Sequence, residues 1–118
     1  TPIEEMKSIT LEPLDRVLIN TGIKATAAPG FEIQIRSRSS LPLKQGLIVG
    51  NGIGTIDEQY RGVLGVCLIN VSGKAETISV GERIAQLAVL PIVLAEIEEV
   101  EDLGETERGE GGFGSTGK

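Results

Sequence analysis

The sequence predicts an all-β domain, built as a barrel or a jelly roll. Apolar residues recur with a period near two: Phe31, Ile33 and Ile35 alternate with polar residues, as expected of a strand that buries one face. Turn signals rich in glycine and proline separate the apolar runs. No stretch keeps the apolar period of a helix for three turns. Many short strands with frequent turns are typical of these two architectures.

Each element follows from a local pattern. Strands are predicted over residues 17–19, 31–35, 63–71, 77–80 and 84–93. Turn signals lie at Gly22, Pro29-Gly30, Gly46, Asn51-Gly52, Ser72-Gly73 and Gly81. One short helix is expected over residues 39–45, with Ser39 or Ser40 as its cap and Pro42 in its first turn. Because aromatic residues make up only 3%, the core must consist of Val, Ile and Leu.

The run over residues 63–71 is apolar on both faces of its strand. Either one face packs inside while the other meets another subunit, or the strand is central and covered on both sides within one chain. Cys67, the only cysteine, lies in this run and is expected to be a buried, inert thiol, because no basic neighbour would activate it. A single cysteine cannot form an intrachain disulfide, which favours a reducing, cytoplasmic compartment.

Composition excludes several classes of function. The 118 residues, 40% hydrophobic and 24% charged, are typical of one soluble domain. No apolar run approaches the length of a membrane span, and the first residues lack a signal pattern. The net charge of −6 argues against binding a nucleic-acid backbone. The absence of histidine excludes Ser-His-Asp and Cys-His catalysis and most zinc chemistry.

Three clusters inside the predicted domain are candidates for chemistry. Ser37-Arg38-Ser39-Ser40, at a strand end, combines a guanidinium with hydroxyls and suits an anion. Residues 50–62 (GNGIGTIDEQYRG) predict a tight hairpin with Asp57 and Tyr60 near its rim. Asp57 is either a structural turn residue or, in a chain without histidine, the natural general base. Residues 81–86 (GERIAQ) open a strand.

The C-terminal part changes character. Residues 96–107 are strongly acidic, and residues 108–118 are nearly half glycine. The second segment is either a disordered tail or a mobile arm whose backbone N–H groups wrap a phosphate chain. We therefore divide the chain into a β-barrel domain over residues 1–107 and a flexible arm over residues 108–118.

In order and spacing, these four segments resemble motifs of the trimeric dUTPase family. The correspondence covers the chain from about Ile9 to its end, and four ordered motifs are far more specific than any one of them. Residues 37–41 resemble P-R-S-[GS]-L with Ser37 in place of the proline, residues 50–62 resemble G-x-I-D-x-x-Y-x-G, residues 81–86 resemble G-x-R-I-A-Q, and residues 108–117 resemble R-G-x-G-G-F-G-S-T-G.

The resemblance implies a jelly-roll-like β-barrel of the dUTPase type with a glycine-rich mobile C-terminal arm. It implies hydrolysis of dUTP to dUMP and pyrophosphate by a homotrimer whose active sites are shared between subunits, with the arm from the third. Magnesium would be held by the substrate phosphates and water, with no direct protein ligand. Membranes and nucleic acids are not expected partners.

The resemblance also implies a role for each candidate residue. Asp57 would activate the water that attacks the α-phosphorus, while strand alternation turns Glu58 the other way. Tyr60 would pack under the deoxyribose and reject UTP. The uracil edge would meet Asn51, Gly54, Thr55, Ile56 and Gly65. The phosphates would meet Arg38, Ser39, Ser40 and Gln86. On the arm, Phe113 would stack on uracil, while the γ-phosphate would meet Arg108, Gly114, Ser115 and Thr116.

One family motif has no counterpart here. The first, A-G-x-D-L, should lie just upstream of Thr1; its aspartate helps to hold the water shell of the magnesium ion. The sequence is either truncated or a variant with impaired metal handling, and we expect truncation, because a missing strand would leave a gap in the sheet. Three alternatives to a dUTPase stay open: a dCTP deaminase-like enzyme, a non-catalytic nucleotide-binding homologue, and a structural β-protein with a disordered tail.

Overall fold

The computed structural model describes residues 7–114, which form eight β-strands and one short α-helix. In chain order the elements are β1 (Ser8–Leu11), β2 (Arg16–Asn20), β3 (Phe31–Arg36), α1 (Ser40–Gln45), β4 (Leu47–Val49), β5 (Gly54–Ile56), β6 (Gly65–Asn70), β7 (Glu76–Ser79) and β8 (Gln86–Pro91). No helix in this part of the chain is long and apolar enough to cross a membrane. The all-β prediction is confirmed.

The five predicted runs correspond to β2, β3, β6, β7 and β8. The prediction missed β1, β4 and β5, which have four, three and three residues. Strands this short do not show enough repeats to establish a period of two. Their positions depend on pairing with longer strands instead.

The strands form three antiparallel sheets with the orders β1-β7, β2-β6-β4 and β5-β3-β8. Strands that follow one another along the chain lie in different sheets, which fits a jelly roll. A closed barrel, the other half of the predicted description, is not found among residues 7–114. The reason is that β2 pairs there with β6 alone and β8 with β3 alone, so the ladder of hydrogen bonds is interrupted.

The hydrophobic core draws residues from all three sheets and from α1, and its side chains are all aliphatic. Along β3, Ile33 and Ile35 are buried while Glu32 and Gln34 are half-buried, which confirms the predicted alternation over residues 32–35. Phe31, predicted on the same buried face, is instead 38% exposed, because it lies at the very start of the strand. The central cluster of buried side chains is Leu11, Ile35, Leu41, Leu47, Val49, Val66, Leu68 and Ile78. The prediction that Val, Ile and Leu build the core is therefore confirmed.

Strand β6 has two unequal faces. Val66 and Leu68 point into the core, whereas Cys67 and Ile69 are only half-buried on the outer face. Leu18, which pairs with Cys67 across the sheet, is 72% exposed. The expectation of a buried Cys67 is wrong, because no second layer covers this outer face within residues 7–114. The interpretation that β6 is covered on both sides within one chain fails for the same reason.

Helix α1 confirms the short predicted helix and fixes the segment before it. Ser39 occupies the N-cap position, but its hydroxyl makes no capping hydrogen bond because its backbone is already helical. Gly46 ends the helix with φ 67°, and its N–H donates to the carbonyl of Pro42 at 3.0 Å. A Cβ atom at this position would lie 2.7 Å from the Cβ of Ser72, so only glycine fits.

The chain leaves the sheets after β8. The N–H of Ile92 still donates to the carbonyl of Gly30 at 2.9 Å, but residues 93–110 are exposed and contain no strand or helix. The exposed residues include large apolar side chains, namely Val93, Leu94, Ile97, Val100 and Leu103. Regular structure thus ends at Pro91, and the division of the chain between residues 107 and 108 stays a prediction.

A buried asparagine ties three segments together. The side chain of Asn70 is fully buried, and its Nδ2 donates to the carbonyls of Leu11 at 2.9 Å and Lys74 at 2.8 Å. Its Oδ1 accepts the N–H of Ser72 at 2.8 Å and the hydroxyl of Ser72 at 2.7 Å. Asn70 therefore joins the ends of β1 and β6 to the turn before β7.

We expect Asn70→Ala to lower the free energy of unfolding by about 2–4 kcal/mol, because it leaves buried carbonyl and N–H groups without partners. Urea unfolding of the variant measures this change. The control is Asn20→Ala, which removes an exposed side chain that accepts one N–H, from Gly22, and should cost less than about 1 kcal/mol. Equal losses in the two variants would contradict the assignment.

Candidate functional site

The glycine-rich segment, residues 50–62, connects β4 to the loop before β6 and contains β5. It begins with a tight turn, in which Gly52 N–H donates to the carbonyl of Val49 at 3.0 Å. The predicted hairpin is wrong: β5 pairs with β3, whereas β4 and β6 belong to another sheet. The segment is therefore a crossing between two sheets, anchored by β5.

Within this segment Gly54 is buried, and its position explains its residue type. A Cβ atom there would lie 3.3 Å from both Asn51 Nδ2 and Ile35 Cβ. The absence of a side chain lets the Asn51 amide pack close to β3. Thr55 is exposed and Ile56 is half-buried, so the three residues of β5 present alternating faces.

The carboxylate of Asp57 is exposed in a turn just beyond β5. Its Oδ1 accepts the N–H of Gln59 at 2.9 Å, and the N–H of Tyr60 donates to its carbonyl at 3.3 Å. The prediction that strand alternation directs Glu58 away is wrong in its cause, because the strand ends at Ile56. Glu58 points elsewhere because its Oε2 accepts the N–H of Gly30 at 3.2 Å.

The same turn holds the ring of Tyr60 in place. The Tyr60 hydroxyl donates to the carbonyl of Val63 at 2.7 Å, and the ring remains 41% exposed. A Cβ atom on Gly62 would lie 2.6 Å from Tyr60 Cζ, so the ring packs directly against the glycine backbone. Arg61 closes the turn by donating from Nη1 to the carbonyls of Glu58 and Tyr60 at 2.7 and 3.0 Å.

The second group of predicted residues lies at the end of β3. Arg38 Nη1 donates to the carbonyl of Arg83 at 3.2 Å, and Gln86 Nε2 donates to the carbonyl of Ser37 at 2.9 Å. Two segments far apart in sequence, residues 37–40 and 83–86, are thus adjacent in the structure. Ser39 is exposed and Ser40 half-buried at the start of α1.

Strands β3 and β4 connect the glycine-rich segment to the predicted residues at the end of β3. Thr55 pairs with Gln34 on one side of β3, and Gln86 pairs with Arg36 on the other. The hydroxyl of Ser37 accepts the N–H of Val49, the last residue before the glycine-rich segment, at 2.9 Å. Gly65 lies apart from this arrangement, because it begins β6 and faces the side chain of Leu18.

The arm makes local contacts in the part that the structure describes. Arg108 Nε donates to the carbonyl of Gly111, and the N–H of Gly111 donates to the carbonyl of Arg108 at 3.1 Å. Phe113 is fully exposed, with φ 51°, a left-handed conformation that is uncommon outside glycine. Gly114 follows it with φ 84°. The predicted residues Ser115 and Thr116 lie outside the described residues.

A cavity of about 560 Å³ adjoins the residues at the end of β3 and shares part of its lining with them. Apolar side chains of β1 and β2 line one side, and residues 79–87 line the other. Its lining includes Arg83 and Gln86 but neither Asp57 nor Tyr60. Among residues 7–114 no three Cys, Asp or Glu side chains converge in a way that could hold a metal ion.

Sequence reasoning missed several residues that shape the site. Glu58 and Arg61 fix the turn, and Gly62 accommodates the ring of Tyr60. The spacing of Tyr60 and Gly62 was a usable signal, since a glycine two residues after an aromatic residue permits close backbone approach. The contact between Glu58 and Gly30 had no such signal, because it joins residues 28 positions apart.

Comparison with known proteins identifies the family of this chain. A family model described as dUTPase matches residues 3–117. The deoxyuridine 5'-triphosphate nucleotidohydrolase of Nautilia profundicola is 50% identical over 116 residues, covering 98% of this chain and 82% of the relative. That of Desulfotalea psychrophila is 53% identical over 108 residues, covering 92% of this chain and 72% of the relative.

Solved structures agree as well. A mutant dUTPase of Staphylococcus bacteriophage 80alpha with dUpNHpp aligns with a TM-score of 0.84 at 28% identity, covering 95% of this chain and 82% of that one. The dUTPase of Streptococcus mutans aligns with a TM-score of 0.69 at 27% identity, covering 77% of this chain and 76% of that one. Because the family model spans nearly the whole chain and its relatives share about half of its residues, the chain belongs to the dUTPase family.

Proposed function

We propose that this chain hydrolyses dUTP to dUMP and pyrophosphate. The observation that supports this most directly is the turn over residues 57–60, which holds an exposed carboxylate and an anchored aromatic ring three residues apart. Relatives that share half of the sequence are named for this hydrolysis. The phage structure that aligns over most of the chain was solved with dUpNHpp, a dUTP analogue.

Asp57 is the proposed general base. Water attacks the α-phosphorus and loses its proton to the Asp57 carboxylate, while the bond from the α-phosphorus to the bridging oxygen breaks and releases pyrophosphate. Asp57 Oδ1 accepts the N–H of Gln59, which orients the carboxylate within its turn. A chain without histidine has few other groups for this role near neutral pH.

The phosphates are proposed to bind at the end of β3. Arg38 offers a guanidinium that is already oriented by Arg83, and the Ser39 hydroxyl is not used in capping α1. Ser40 and Gln86 complete this group. Phosphoryl transfer depends mainly on positioning and charge neutralisation, so few titratable residues are needed.

Magnesium is proposed as the cofactor, held through phosphate oxygens and water. When bound to the triphosphate, the ion would neutralise part of its negative charge, which an acidic protein with net charge −6 needs.

The nucleoside is proposed to bind along the glycine-rich segment. The Asn51 amide, packed close to Gly54, and the backbone of residues 54–56 would pair with the uracil edge. Gly65 is proposed to contribute from the start of β6. Tyr60 would pack beneath the deoxyribose and leave no room for a 2′-hydroxyl, because its hydroxyl is bonded to Val63 and its ring rests on Gly62.

The arm is proposed to close over a site on another subunit of a homotrimer. Phe113 would stack on uracil, and Arg108, Gly114, Ser115 and Thr116 would bind the γ-phosphate. Two observations support a partner: Phe113 is fully exposed, and the outer face of β6 stays partly uncovered within residues 7–114. A glycine-rich arm loses much entropy on ordering, so closure should depend on the ligand.

We also propose that the protein is cytoplasmic. Its sequence has a single cysteine, Cys67, and so cannot form an intrachain disulfide, which favours a reducing compartment.

The proposal is tested first by assaying dUTP hydrolysis by the full-length protein with magnesium. Asp57→Asn should lower kcat by about 10²–10⁴-fold, because the general base is lost. The dissociation constant for dUpNHpp should change little, because asparagine keeps the shape. The control is Glu58→Gln, which keeps an acceptor for Gly30 and should retain activity. A wild-type protein that binds dUpNHpp without hydrolysing dUTP would instead be a non-catalytic homologue.

We expect Gly62→Ala to weaken discrimination against UTP, because the new methyl group displaces the ring of Tyr60. The ratio of kcat/KM for UTP to that for dUTP should rise roughly tenfold. Gly73→Ala is the matched control, since a Cβ atom there meets nothing within 4 Å. An unchanged ratio in the Gly62 variant would place the sugar gate elsewhere.

Deleting residues 108–118 should leave folding intact and lower kcat by about 10²–10³-fold, because the γ-phosphate donors are lost. Sedimentation should show a three-chain species for both forms. Co-expressing the deleted chain with the Asp57→Asn chain should restore part of the activity, since each supplies what the other lacks. Full activity of the deleted chain, or no recovery in the mixture, would contradict an arm shared between subunits.

A further inference from the structure

Ser37 stands where the family motif has proline, and it makes two hydrogen bonds in different directions. Its hydroxyl accepts the N–H of Val49 at 2.9 Å. Its carbonyl accepts Gln86 Nε2 at 2.9 Å. A proline at this position has no hydroxyl, so the first of these bonds depends on the serine that this chain has in place of the motif's proline.

The N–H of Val49 needs this acceptor. Val49 is 2% exposed and is the last residue of β4, and a buried N–H group without a partner is unfavourable. Val49 is also the residue whose carbonyl accepts the N–H of Gly52 at 3.0 Å in the turn that positions Asn51. The Ser37 hydroxyl thus holds the start of the glycine-rich segment.

The carbonyl of Ser37 makes its hydrogen bond to the proposed phosphate-binding residue Gln86. It orients the amide of Gln86, and the next residue along the chain is Arg38, whose guanidinium is oriented by Arg83. Ser37 therefore connects the proposed phosphate-binding segment, residues 37–40, to β4, which leads into the proposed uracil-binding segment.

We propose that Ser37 is a positioning residue for dUTP binding: by accepting the Val49 N–H, it sets the distance between the phosphate-binding segment, residues 37–40, and the glycine-rich segment. The inference rests on the proposed function of those two segments. Ser37 itself touches no substrate atom in this role. It acts through Val49, which leads into the turn that contains Asn51, and through Gln86, a proposed phosphate ligand.

The test compares Ser37→Ala with Ser37→Thr in the full-length protein. Ser37→Ala should raise KM for dUTP about five- to tenfold, the effect of one hydrogen bond, while kcat changes less than KM. Ser37→Thr keeps the hydroxyl and should restore KM to within about twofold of wild type. The dissociation constant for dUpNHpp should follow KM in both variants.

The matched control is Ser72→Ala. Ser72 is also half-buried, and its hydroxyl bonds to Asn70, away from both segments. This variant should lower the unfolding midpoint without changing KM. If Ser37→Ala behaves in the same way, with lower stability and an unchanged KM, its role is structural only and the proposal is overturned.

Two further measurements separate the possible failures. If the wild-type protein does not hydrolyse dUTP, the proposed function fails, and equal dUpNHpp affinities of wild type and Ser37→Ala then overturn the role of Ser37. If Ser37→Ala does not fold, the role of Ser37 is tested by measuring hydrogen exchange of the Val49 amide in the wild-type protein. We expect its protection to rise when dUpNHpp binds, and unchanged protection overturns the proposal.

Discussion

Strand β3 is hydrogen-bonded along both of its edges, and the placement of the candidate site follows from that pairing. One edge binds β5, which anchors the glycine-rich segment, and the other binds β8, which begins with Gln86. The strand itself ends at Arg36 and leads directly into Arg38. A slip of one residue in either ladder would turn the paired side chains to the opposite face of the sheet. The glycine-rich segment, the start of β8 and the segment that contains Arg38 are therefore all positioned by β3.

The same strand connects the site to the core. Ile35 is buried in the central aliphatic cluster, and its Cβ lies just beneath the position of Gly54. Burying a side chain of this size stabilises the fold by about 1.5–3 kcal/mol. Because Gly54 has no side chain, that packing extends to the amide of Asn51. The close packing of Gly54 against Ile35 therefore contributes both to the stability of the core and to the position of Asn51, a proposed uracil ligand.

Parts of the protein surface carry exposed apolar side chains. Leu18 is 72% exposed on the outer face of one sheet, opposite the half-buried Cys67 on the next strand, and apolar side chains between residues 93 and 103 are exposed beyond the last strand. Exposed apolar patches mark interaction sites in soluble proteins. The acidic residues that alternate with it over residues 96–107 keep the exposed segment hydrated. Both features are consistent with the proposal that neighbouring subunits complete the site.

The sequence by itself determined the features whose cause is local. The alternation along β3, the short helix that ends at Gly46, and the aliphatic core followed from residue spacing, and the motif order indicated the family. The tertiary structure decided the features whose cause is distant in sequence: that β5 pairs with β3 and forms no hairpin, that Glu58 is held by Gly30, and that Ser37 accepts the N–H of Val49. Strands of three residues and single hydrogen bonds leave no periodic pattern in a sequence. Such features depend on longer strands to hold their partners together, because closing such loops costs chain entropy that local preferences cannot offset.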